Sequence, residues 1–102
     1  MIVRQGDLLL RKVEKLPKQA KIVKSDVILE GEATGHAHRI MDGEIFRFWS
    51  QSSGDQLFVK TEKGASLIHE EHATIELDPG IYEVIRQREY DPDTDTTQWV
   101  MD

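Results

Sequence analysis

The apolar positions of this chain come in short runs broken by turn residues, and most runs alternate with a period of two. Leu8 and Leu10 fall on one side of the stretch Asp7–Val13, with Asp7, Leu9 and Arg11 on the other, so Ile2-Val3 followed by this stretch reads as a first strand. Leu16-Pro17-Lys18 breaks it. Residues 20–30 carry Ile22, Val23, Val27, Ile28 and Leu29, a β-branched pattern that predicts a strand kinked near Ser25-Asp26. Asp42-Gly43, between 36–41 and 44–49, predicts a two-residue hairpin, because a type I′ turn needs positive φ at both central residues. In that register Ile40 opposes Ile45, His38 opposes Arg47 and His36 opposes Trp49. These six residues then share one face, and Ala37, Met41, Phe46 and Phe48 share the other, taken as the core face.

Further on, Ser50–Gln56 reads as a polar loop and Leu57-Phe58-Val59 as a strand. Lys63-Gly64 is a turn, and 65–68 another short strand. Ile75 and Leu77 alternate on one face, Asp78-Pro79-Gly80 turns, and 81–90 form a long strand. Residues 91–97 read as a loop before a C-terminal edge strand. No helix is expected. The fold class is all-β: one domain over residues 1–102, a small barrel or roll of about 7–9 short antiparallel strands.

Composition narrows the function. The 102 residues contain no cysteine, which removes disulfide scaffolds, thiol nucleophiles and Cys-ligated metal centres. No apolar run approaches a membrane span, so no membrane role and a cytoplasmic location are expected. The net charge of −6 argues against a general nucleic-acid partner. Charge is uneven: +5 over residues 1–24, −3 over 25–68 and −8 over 69–102. That polarity, in so small a domain, leads to the expectation of a homo-oligomer.

The four histidines supply the candidate chemistry. They fall in two pairs, His36-Ala37-His38 and His69-Glu70-Glu71-His72. A His-x-His pair on a strand places both imidazoles on one face, about 6–7 Å apart at the α-carbons, a workable bite for one ion. His69 and His72 point opposite ways on a straight strand, so a bulge or turn must bring them in. The expected ligands are His36, His38, His69 and His72, around a divalent metal: zinc first, with iron, nickel or manganese as alternatives. Glu32, Glu70 and Glu71 are candidates for a base, a fourth ligand or a partner fixing an imidazole tautomer. Arg39 and Arg47 flank the pair and are candidates for clamping an anionic substrate, which the sequence does not name. Two other readings stand beside this one. In the first, the chain is a non-enzymatic interaction module whose histidines are structural. In the second, it is a nucleic-acid accessory domain using the basic first 24 residues.

Two resemblances bear on these residues. Gly31, His36-Ala37-His38, an acid at Asp42 or Glu44, and Gly54 resemble the first motif of the cupins. That likeness implies a metal in a barrel mouth held by His36, His38 and one later histidine. The run from Gly31 to Arg39, GEATGHAHR, with Gln87–Tyr90, is similar to small uncharacterised bacterial and phage proteins. This second likeness implies no activity.

Overall fold

The computed structural model describes residues 2–30 and 36–86, and every element in them is a strand: β1 Ile2–Gln5, β2 Leu8–Val13, β3 Lys21–Val23, β4 Val27–Glu30, β5 Ala37–Met41, β6 Glu44–Ser50, β7 Gly54–Thr61, β8 Ala65–Ile68, β9 Ile75–Leu77 and β10 Gly80–Arg86. They form two antiparallel sheets. One has six strands in the order β1-β2-β10-β7-β6-β3, the other four in the order β4-β5-β8-β9. The all-β class is therefore as expected. The barrel is not: the edge strands β1 and β3 of one sheet and β4 and β9 of the other are not paired to each other, and the described residues hold ten strands. Closure needs every edge paired. Here the chain changes sheet instead of curling one sheet round.

Four short links make that change, β3–β4, β5–β6, β7–β8 and β9–β10. The register places all four at one end, because Glu44 lies against Lys60, Thr61 against Gly80 and Val23 against Ile45. The opposite end carries the β1–β2 and β6–β7 turns and the β8–β9 connection. Between the sheets lies a core of Leu8, Leu10, Ile28, Leu29, Ile40, Ile45, Val59, Ala65, Leu67, Leu77 and Tyr82. The expected side-sharing of Leu8 with Leu10 holds, and both are fully buried.

Two local expectations are corrected. The kink at Ser25-Asp26 is a sheet-to-sheet crossing, pinned where Ser25 N donates to Val23 O (2.9 Å) and Val27 N to Ser25 Oγ (3.1 Å). Asp42-Gly43 is not a hairpin turn. β5 pairs with β4 and β8, while β6 pairs with β3 and β7. Asp42 has φ 68°, but Gly43 lacks the positive φ that a type I′ turn requires. Glycine is needed there for closeness: a β-carbon at 43 would stand 2.8 Å from Ile40 Cγ2.

Thr61 Oγ1 holds the corner, donating to Asp42 O (3.2 Å) and accepting from Gly64 N (2.9 Å). Apart from Ala37, which is buried as expected, the face assignment inverts as a result. Ile40 and Ile45 point inward at 3% and 1% exposure, while Met41 is 48% exposed and Phe46 and Phe48 are half-buried. His38, two residues from Ile40, goes inward with it. The long strand expected over 81–90 is seen as far as Arg86. Residues 87–90, the 91–97 loop and the C-terminal strand lie outside the described residues.

Candidate histidine site

The open question in the sequence was whether residues 69–72 reach the face of His36 and His38. Strand pairing answers it. β5 and β8 pair with Arg39 opposite Ile68, Ile40 opposite Leu67 and Met41 opposite Ser66. Carried one step further, the same register sets His69 opposite His38, and directly opposed residues share a face. The ring centroids of His38 and His69 are 4.4 Å apart. His72 follows the bend after His69, with its ring 4.7 Å from that of His69 and 6.3 Å from that of His38. His36 stands 5.7 Å from His69, edge-on. All four imidazoles thus gather at the hairpin end of the sandwich, from segments more than thirty positions apart in sequence.

A third segment closes the group. β1 and β2 form a tight hairpin with Gln5 opposite Leu8, so Gly6-Asp7 is a two-residue turn. Gly6 has φ 62°, as the first position of a type II′ turn demands. A β-carbon there would lie 2.6 Å from Nε2 at the tip of the exposed His72, so any side chain at position 6 displaces that ring. Gln5, 3% exposed, donates through Nε2 to Leu67 O (3.0 Å) and Ala73 O (2.9 Å), and its Oε1 lies 2.8 Å from His38 Nδ1. Asp7 Oδ1 is 3.4 Å from His38 Nε2.

The glutamates tie down the loop. Glu70 Oε1 accepts from Ala37 N (3.0 Å), and that bond, ahead of the nearby histidines, holds the Glu70 carboxyl below its usual range. Glu71 Oε1 meets His36 Nδ1 at 2.7 Å, and Glu71 N donates to His69 Nδ1 (3.0 Å). His38 is 3% exposed. Its pKa is pushed below 6.5, first by loss of solvent and then by His69; Asp7 opposes this in part.

The four expected ligands therefore come together. Their rings are packed against one another, and among the described residues no three His, Asp or Glu side chains are arranged round a common point as a bound metal requires. Glu32 lies within 31–35, outside the described residues. Arg39 points away from His38 along β5 and binds Asp26 at 3.1 Å. Arg47 lies in the other sheet, on β6 between Lys21 and Leu57, and binds Asp55 at 3.0 Å.

Sequence reasoning passed over Gln5, Gly6 and Asp7 by taking 2–13 as one strand. The signal was present: Gly-Asp between two apolar runs is a hairpin turn. Among the described residues no helix is long and apolar enough to cross a membrane. No curated protein and no solved structure matches the chain. One family model does match, over residues 4–87, a span that takes in the whole histidine group and the β1–β2 turn, and the chain belongs to that family, described as a domain of unknown function (DUF8820).

Proposed function

We propose that the hairpin end binds a divalent transition metal, zinc foremost, through His38, His69 and His72 together with Asp7. One observation carries the reading: His38 Nε2 and Asp7 Oδ1 are 3.4 Å apart, beside two further imidazoles. That separation is long for a hydrogen bond. It matches the edge of a tetrahedral zinc site, which comes to about 3.3 Å for metal–ligand bonds near 2.0 Å. Imidazole nitrogens with one carboxylate are the donors such an ion prefers over calcium or magnesium.

Loading requires His69 and His72 to turn from ring packing to coordination. Both lie in the connection after β8, where His72 is exposed. His69 must also exchange its bond from Glu71 N for the metal. Glu70 and Glu71 then serve as anchors of the loop, holding Ala37 N and His36. Glu32 keeps its candidacy as a further acceptor. Three imidazoles and Asp7 fill a tetrahedral sphere, so the site binds first. Hydrolytic or other metal-dependent chemistry needs Asp7 to give way to a water. The cupin-like spacing points to the same use of His38 and a later histidine.

Elemental analysis and zinc titration of untagged protein test this. One zinc per chain, lost in a His38→Ala/His72→Ala double variant, is expected. Substoichiometric metal unchanged by those substitutions sinks the reading.

A second reading, self-association, rests on a different observation. Ile22, 52% exposed, lies cross-strand from the half-buried Phe46 on the outer face of the six-stranded sheet. Native mass at pH 5.5 and 7.5, in low and high salt, checks it. A monomer under all four conditions removes it.

A further inference from the structure

The orientation of the Gln5 amide is fixed by its surroundings. A carboxamide nitrogen carries two hydrogens, and here both are spent, one on Leu67 O and one on Ala73 O. Turned the other way, the amide would face its oxygen toward two carbonyl oxygens. Oε1 must therefore lie on the His38 side, 2.8 Å from Nδ1, and a carbonyl oxygen can only accept. So Nδ1 carries the hydrogen. A neutral imidazole has one N–H, which leaves Nε2 bare.

In the neutral form that bare nitrogen faces the Asp7 carboxylate, so two acceptors confront one another at 3.4 Å with no hydrogen between them. A cation placed there satisfies both. We infer that Gln5 is the positioning residue of the site: it holds His38 in the Nδ1–H tautomer and so designates Nε2 as the metal-coordinating atom. Free histidine in water favours the opposite tautomer, so Gln5 works against the intrinsic preference. Through Leu67 O and Ala73 O, Gln5 also ties the β1 hairpin to both sides of the loop carrying His69 and His72. The same side chain thus sets the ring and braces the loop.

This inference rests on the metal reading for its purpose but not for its measurement. Long-range ¹H–¹⁵N correlation spectra of metal-free protein, at a pH where His38 is neutral, report which ring nitrogen is protonated. Wild type is expected to show Nδ1–H at His38. Gln5→Leu is expected to revert to Nε2–H, with zinc affinity at least tenfold lower. A wild-type spectrum showing Nε2–H overturns the assignment, as does an unchanged tautomer in Gln5→Leu. Should Gln5→Leu fail to fold, the wild-type spectrum decides. Should wild type bind no zinc, the metal reading falls, and the tautomer alone decides the role of Gln5.

Discussion

At the crossing end of the sandwich, Thr61 is 4% exposed and spends its hydroxyl on two backbone groups, Asp42 O and Gly64 N. Nearby, the fully buried Tyr82 donates its hydroxyl to Asp78 O at 2.7 Å. At the hairpin end, Gln5 and His38 are equally buried; Gln5 also serves two backbone carbonyls, Leu67 O and Ala73 O, but its remaining bond runs to the side chain of His38, whose other ring nitrogen faces a carboxylate. Both ends bury polar atoms. The first uses them to satisfy the backbone, so its parts are interchangeable with anything that folds. The second ends in an atom held ready for something else, and buried polar networks are retained for structure or for such use.

The largest effect that separates the ends is expected from Thr61→Val, which keeps the shape and removes both bonds. A loss of about 2–3 kcal/mol in urea unfolding should follow, with zinc affinity unchanged. Zinc affinity falling with stability would break the distinction. Next are two glycines compared directly. Gly43→Ala drives a methyl against the buried Ile40, so about 1–3 kcal/mol should be lost without effect on zinc.

Gly6→Ala should cost less stability, about 1–2 kcal/mol of backbone strain, because its nearest neighbour is the tip of the exposed His72. It should nevertheless weaken zinc binding at least tenfold by displacing that ring. The smallest effect is in pH. His38 is held below 6.5, so between that value and its folded pKa the unfolded chain binds more protons. Stability of the metal-free protein is expected to be whole above pH 6.5 and to fall as pH drops through the folded His38 value. Thermal midpoints across pH 5 to 8 read this slope, and His38→Gln should flatten it. A wild-type midpoint that rises on acidification contradicts the sign.

Much of the site was legible in the chain. The two histidine pairs stand out by count and spacing, and the β5 alternation that puts His38 and Ile40 on one side is real. What failed was the decision about inside and outside. Phe46 and Phe48 are larger and more apolar than their neighbours, which by itself points their face toward the core. Ile40 and Ile45 won that place because β5 and β6 pair with different partners. Asp42-Gly43 failed for the same reason: a two-residue signal was outweighed by the long pairings of β5 with β8 and β6 with β7. Gln5 was invisible because a lone glutamine has no pattern. Its role exists only where Leu67 O, Ala73 O and His38 meet.

By itself, then, the sequence determined the strand-forming alternation, the absence of cysteine chemistry and the stock of imidazoles, since these depend on neighbours along the chain. The tertiary structure alone decided that β5 and β8 pair, that His69 therefore stands opposite His38, and that the Gly6 turn delivers Gln5 and Asp7 to them. Each of these depends on contacts between residues about thirty or more positions apart. Such contacts form only when the gain from burying both sheets' inner faces outweighs the entropy of closing the loops between them.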